Sequence, residues 1–150
     1  MPAIEEEIKQ KNFQSIYHKA NINLVYTIGW LQARQNELFR HYGLTLPQFN
    51  ILRILRGQHP KPASINLLIE RMLDKTSNAS RIVDKLEAKG LVTRTPSVHD
   101  RRAVDVTITP VGLNLLQQLD EKAHELSDGL NNLTTEEAEE LNRILDKIRD

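Results

Sequence analysis

The sequence predicts a mainly α-helical chain in which a helix-turn-helix pair runs directly into a two-stranded wing, with long helices at both ends. Three observations predict it. Apolar residues keep a helical spacing over most of the 150 residues. That spacing breaks after Gly90, where Leu91–Arg94 turns β-favouring and Val104, Val106 and Ile108 alternate with Ala103, Asp105 and Thr107. The helix before the break has a basic outer stripe, and the loop inside it holds adjacent arginines.

In chain order, Phe13 to Tyr42 reads as one long helix. Phe13, Ile16, Tyr17, Ala20, Leu24, Ile28, Leu31 and Leu38 recur near helical spacing, with Gly29 to weaken it and Gly43 to end it. Thr45-Leu46-Pro47-Gln48 is a start signal: a capping threonine, Gln three residues on, and a first-turn proline. Phe49, Leu52 and Leu55 mark the buried face of a short helix that Gly57, Pro60 and Pro62 end. Ser64 caps the next, with Ile65, Leu68, Ile69 and Met72 inward. Asp74 or Thr76 opens another, with Ala79, Ile82, Val83 and Leu86 inward and Gly90 closing it.

Thr95 to Arg102 joins the two strands and is longer than the roughly two to five residues of an ordinary hairpin loop, a pointer to function or mobility. Thr109-Pro110 starts a helix carrying Leu115, Leu116, Leu119, Ala123, Leu126 and Leu130. Thr134 with Glu137 makes a second capping box, and Ala138, Leu141, Ile144, Leu145 and Ile148 form a last amphipathic helix. The organisation is a single domain over 1–150. A winged helix-turn-helix lobe spans about 45–108, and helices at about 10–43 and 110–149 flank it.

Hydrophobic residues make up 39% and charged residues 27%, the balance of a folded soluble chain. There is no cysteine, which excludes disulfides, thiolate zinc sites and cysteine redox sensing and fits a cytoplasmic setting. The acidic start MPAIEEEIKQK predicts no signal peptide. No apolar run approaches the roughly 20 residues that cross a bilayer, so no membrane partner is expected. The formal net charge is zero, which argues against a nucleic-acid partner until the distribution is read. Lys75–Arg102 holds seven Lys/Arg against three Asp/Glu, and Asp120–Asp150 holds four against ten. A chain polarised in this way can offer phosphates one face and keep the acidic face away.

On a 100° wheel Ala79, Ile82, Val83 and Leu86 share one side, and Ser77, Asn78, Arg81 and Lys85 share the other. Arginine pairs with guanine, asparagine with adenine, serine with either, and lysine supplies a point charge. Any solvated helix face would look similar; the wing beside it favours DNA. Arg94 lies on its first strand, and Arg101 and Arg102 lie at its tip, where an arginine can enter a narrow minor groove. The candidate DNA-binding set is Ser64, Thr76, Ser77, Asn78, Arg81, Lys85, Arg94, Arg101 and Arg102.

The run LEAKGLVTRTPSVHDRRAVDVTITPVG from Leu86 to Gly112 resembles the signature of the MarR family of bacterial transcription regulators. The matching pieces are Leu86-Glu87, Lys89-Gly90-Leu91-Val92, Arg94, Asp100-x-Arg102, Val106-x-Ile108-Thr109 and Gly112. Upstream, Leu44-Thr45 with Gln48-Phe49-x-x-Leu52 fits the family's second helix. The resemblance implies a homodimer through the terminal helices, on a pseudo-palindromic double-stranded operator, with one recognition helix per major-groove half-site. It implies that Arg102 reaches the minor groove, that Asp100 supports the wing, and that Arg101 lies on phosphate. It further implies a small aromatic or phenolic effector, bound between the first long helix and the winged lobe.

The residues support a dimer separately, because the leucine-rich stripes of the terminal helices exceed what a small lobe can cover. Leucine spacing equally allows those helices to pack on each other within one chain. Trp30, Arg34 and His41 lie roughly along one face of the first helix and are the candidate effector-binding residues. A packed tryptophan with solvated neighbours is the plainer reading of the same three.

Two rival functions remain. An enzyme is disfavoured: the five histidines are scattered, and no H-E-x-x-H, G-x-S-x-G, P-loop or G-x-G-x-x-G is present, so no cofactor or metal is expected. A winged helix used only for protein contacts would need an apolar outer face on the helix after Asp74. The sequence therefore predicts an effector-responsive dimeric repressor.

Overall fold

The computed structural model describes residues 1–126 and 129–150, and of Leu126 its backbone. The elements are α1 (Ile4–Glu7), α2 (Ile16–His41), α3 (Leu46–Gln58), β1 (Ala63–Ser64), α4 (Ile65–Arg71), α5 (Ala79–Ala88), β2 (Val92–Pro96), β3 (Val104–Ile108), α6 (Pro110–Asp120), α7 (Ala123–Leu126), a 3-10 turn (Leu130–Asn132) and α8 (Thr135–Ile148). The mainly helical winged architecture is the one the sequence predicts.

The capping chemistry appears as expected. Thr45 and Gln48 form a reciprocal capping box on α3, and Thr134 and Glu137 form one on α8. Ser64 accepts the Leu67 N–H at 3.1 Å to cap α4, and Thr109 accepts that of Gly112 to cap α6.

Several boundaries differ from the sequence reading. The long N-terminal helix begins at Ile16, because the Ser15 hydroxyl accepts the His18 N–H and stops the helix three residues short of Phe13. A short α1 precedes it, laid on α2 through Ile4 and tied by a Glu5–Lys19 ion pair and a Tyr26–Glu7 hydrogen bond of 2.7 Å. Helix α3 runs through Gly57 to Gln58. Ile69, expected inward, is 45% exposed, since α4 ends at Arg71 and buries only its Leu68 side.

The C-terminal helix is broken. Helix α6 stops at Asp120, turns through Glu121–Lys122, and α7 packs back on α2. Neither residue of that turn is a Gly or Pro, so a leucine pattern that continues through it hides the break. Leu126, expected on that stripe, has its side chain outside the described residues.

The wing hairpin pairs Val92 with Ile108 through Pro96 with Val104, antiparallel. Against the two strands expected, a third joins them: β1 pairs Ala63 with Val106 and Ser64 with Asp105, giving the order β1-β3-β2. A two-residue strand has no period to detect.

The core sits in the winged lobe. Ile51, Leu52, Leu68, Val83, Leu86 and Val106 are fully buried there. Each contributes roughly 1.5–3 kcal/mol by leaving water. Helix α2 reaches this core at its C-terminal end, where the Phe39 and Phe49 rings lie 4.5 Å apart, and α6 reaches it through Leu116 and Leu119. Elsewhere the terminal helices are poorly covered. Ile16, Tyr17, Val25 and Ile28 on α2 are 51–83% exposed, and no residue of α8 is buried in the single chain.

Candidate nucleic-acid interface

Burial of Ala79, Val83 and Leu86 fixes which side of α5 faces the lobe. Ser80, Arg81, Asp84 and Lys85 are exposed on the opposite side. That face is polar, so the apolar outer face needed by a protein-contact module is absent from this helix. Arg81 and Lys85 sit one turn apart, at the spacing of neighbours on a helix surface.

The helix starts later than the sequence suggested. Neither Asp74 nor Thr76 caps it; Asn78 does, its Oδ1 accepting the Arg81 N–H at 3.1 Å. Asp74 instead organises the turn before the helix. Its carboxylate accepts the Thr76 N–H at 2.9 Å, the Thr76 hydroxyl at 2.6 Å and the Ser77 hydroxyl at 2.9 Å. Asp74, Thr76, Ser77 and Asn78 can all cap, and local hydrogen bonding gives Asp74 the turn and Asn78 the cap. Thr76, Ser77 and Asn78 thus all stand at the N-terminal end of α5 with side chains already engaged. Lys75 reaches the carbonyls of Ile69 and Glu70 and neutralises the C-terminal end of α4. Ser64 is half-buried at the start of α4, where its hydroxyl serves as the cap.

The hydrogen bonds from Thr76, first the hydroxyl and then the backbone N–H, hold the Asp74 carboxyl below its usual range, with Ser77 adding to them. A depressed carboxyl stabilises the turn above its unfolded value, and that support is lost only as pH falls through the lower folded value. At neutral pH, Asp74→Ala should therefore speed amide exchange over residues 74–79, while the wild-type turn should loosen only in acid. Unchanged exchange at neutral pH would remove Asp74 from this role.

The wing presents Arg101 and Arg102 in the exposed segment after Asp100. The Asp100 Oδ1 accepts the Arg102 N–H at 2.9 Å and its carbonyl accepts the Ala103 N–H at 3.0 Å, which shapes the tip. Arg101, Arg102 and Arg94 line a hollow of about 230 Å³ on the hairpin with Thr95, Pro96 and Val104. Arg94 differs from the other two: its guanidinium is ion-paired with Asp84 of α5.

The wing joins the lobe through a tight corner. The Thr109 hydroxyl donates to the Gly90 carbonyl at 2.7 Å, and the Thr109 N–H donates to the Leu91 carbonyl at 3.0 Å. Lys89, at the end of α5, donates to the Gly43 carbonyl beyond α2 and to Gln48 Oε1 at 3.0 Å. Gln48 is 5% exposed and also accepts the Thr45 N–H, so one lysine links three elements.

Of the candidate effector residues, Arg34 and His41 line one hollow of about 320 Å³ together with Glu37, Leu38 and Glu125. Trp30 lines a separate hollow of about 280 Å³ near Ile4 and Tyr26. Arg34 stacks over the Trp30 ring at 4.8 Å and bridges the two. Among the described residues no group of three His, Asp or Glu could hold a metal ion, and no helix is long and apolar enough to cross a membrane.

Sequence reading missed Asp74, Asp84, Glu87 and Lys89 as parts of this surface. The one signal was an acidic residue, Asp84, set between Arg81 and Lys85 on an otherwise basic face.

The comparisons agree with this geometry. A family model described as MarR family matches residues 42–103. The crystal structure of a MarR transcription factor from Planctomyces limnophilus is 32% identical, covers 90% of this chain and 98% of its own, and gives a TM-score of 0.70. The HTH-type transcriptional repressor IacR of Pseudomonas putida is 28% identical over 144 residues, 95% of this chain and 81% of the relative. An organohalide-sensing transcriptional regulator, RdhR, solved in its 2,4-dichlorophenol-bound form, gives a TM-score of 0.81 over 93% of this chain and 85% of its own. At 19% identity that last likeness is one of fold alone.

Proposed function

The chain belongs to the MarR family of transcription regulators, and from that premise we propose that it is a homodimeric repressor released from a pseudo-palindromic operator by a small aromatic effector. Binding DNA to regulate transcription, without enzymatic activity, is the property it shares with the family. The operator-reading part is carried by one observation: the polar face of α5 and the arginines of the wing are joined by the Arg94–Asp84 contact into one surface. Arg81 and Lys85 then address the major groove, Arg102 the minor groove and Arg101 a phosphate. The Asn78 amide N–H and the Ser64 hydroxyl proton stay available for phosphate at helix starts, whereas Thr76 and Ser77 give their hydroxyl protons to Asp74 and would reach DNA only after releasing it.

The dimer is supported by the uncovered apolar residues of α2 and α8, which a two-fold partner would bury. The repressor role follows the relative from Pseudomonas putida. The effector class follows the dichlorophenol-bound neighbour, together with the hollow in which Arg34, stacked on the Trp30 ring of the adjoining hollow, lies with His41, Glu37 and Glu125. An aryl ligand there would contact α2 and, through Glu125, α7, and so bias the spacing of the two lobes away from one helical turn, roughly 34–36 Å.

Selection of sites from a random duplex pool, followed by release with a panel of phenols and aryl carboxylates, tests the reading. Arg102→Ala should weaken binding to the selected duplex about ten- to a hundredfold. Arg81→Ala should relax base preference, and Lys85→Ala should mainly lower the salt dependence. A chain that enriches no duplex, or an Arg102→Ala variant with unchanged affinity, would sink the proposal.

A further inference from the structure

We infer that Arg94 is a positioning residue rather than a DNA contact: it grips Asp84 on the recognition helix, sets the wing against that helix, and screens a carboxylate that would otherwise face phosphate. The inference rests on the operator-reading role of α5 and the wing.

Asp84 is a poor residue for its place. It stands on the outer face of α5, one turn from Arg81 and beside Lys85, with a side chain 59% exposed. A bare carboxylate there opposes the phosphates that the neighbouring cations attract, and like-charge juxtaposition weakens binding. Arg94 removes that penalty by pairing Nη1 with Asp84 Oδ1.

The same residue is held a second time. The Arg94 N–H donates to Glu87 Oε2 at 3.0 Å, so two carboxylates three residues apart on α5 hold one residue of β2 by side chain and backbone. Arg94 lies directly across from Val106, which is fully buried, so this grip is anchored to the core. Its side chain is only 27% exposed, and the guanidinium is already committed to Asp84. Beyond Arg94 the hairpin runs out through Pro96 to Arg101 and Arg102. A rotation at the grip is therefore carried to the tip.

A surface ion pair adds little to stability, so its effect should be read in binding rather than unfolding. A double-mutant cycle on the full chain tests it, using the duplex that the wild type enriches from a random pool. Arg94→Ala should weaken binding about five- to tenfold, and the same change in an Asp84→Ala background should cost about twofold or less. The slope of log affinity against log salt should stay unchanged for Arg94→Ala, whereas losing a direct phosphate contact would lower it by about 0.9. Arg94→Lys, which keeps the charge, should hold affinity within about twofold of wild type.

Equal losses in both backgrounds, a reduced salt slope, or no loss in either background would each overturn the inference. If Arg94→Ala leaves no folded protein, as read by its melting temperature, the same cycle with Arg94→Gln and Asp84→Asn decides the matter. Arg102→Ala is titrated alongside. If it too binds normally, the operator-reading proposal fails; if it alone weakens binding, only the positioning role of Arg94 fails.

Discussion

Gly112→Ala should destabilise the chain by about 2–4 kcal/mol, because a methyl group has nowhere to go at that position. A Cβ there would lie 2.5 Å from the Leu91 carbonyl oxygen and 2.7 Å from Ile108 Cγ1. The first is backbone and cannot swing aside. The corner is held tightly by Thr109, which bonds to the Gly90 and Leu91 carbonyls and caps the helix through the Gly112 N–H. Helix α6 must therefore retreat from the base of the wing, and Leu116 and Leu119, both fully buried, retreat with it. For a chain of this length the loss corresponds to a fall in melting temperature of about 5–15 °C. DNA binding should weaken as well, since α6 connects the wing to the C-terminal helices. A melting temperature within about 2 °C of wild type would show that the corner relaxes more easily than this contact suggests.

Ile144→Glu should split the proposed dimer and lower operator affinity about 10²–10⁴-fold, the gain that linking two binding lobes supplies. Ile144 is 42% exposed and Ile148 60% exposed on α8, a helix that buries none of its residues within one chain. A two-fold partner would dehydrate this stripe, and a glutamate placed in it would have to shed water to enter it. The winged lobe does not use Ile144, so any fall in melting temperature should be no more than the loss of the dimer brings. Sedimentation or light scattering would then fall from twice the 17.2 kDa chain mass to that mass itself. A variant that keeps the doubled mass would move the interface away from α8.

These two expectations also show how unevenly the sequence revealed its purpose. Gly112 stood out as the last matching residue of the family signature, but nothing in the sequence said what it does. Its role depends on Leu91 and Ile108 converging on it, and those residues lie 21 and 4 positions away. The apolar stripes of the terminal helices were legible from spacing alone. Whether they pack on each other or stay open was not, because a stripe has the same period in both cases. In the folded chain α7 packs back on α2 while α8 keeps its apolar side uncovered.

Caps and periods are legible in the sequence because they are local. Thr45 with Gln48, Ser64, Thr109, and Thr134 with Glu137 each act within three residues, and the residues themselves define the geometry. The start of α5 is not fixed by the sequence because Asp74, Thr76 and Asn78 are all plausible caps. Only the hydrogen bonds from Thr76 and Ser77 to Asp74 separate them.

The sequence by itself determined the main helices, the two strands of the wing hairpin, the basic face of α5 and the arginine-bearing tip. It did so because helical and strand periodicity, capping and local charge are properties of neighbours along the chain. The tertiary structure decided how the polar side chains are used. Arg94 meets Asp84 across ten residues, and Lys89 meets Gly43 across 46. A charged side chain takes the partner that the fold brings within reach, and that partner depends on how α5, β2 and the end of α2 are packed in space.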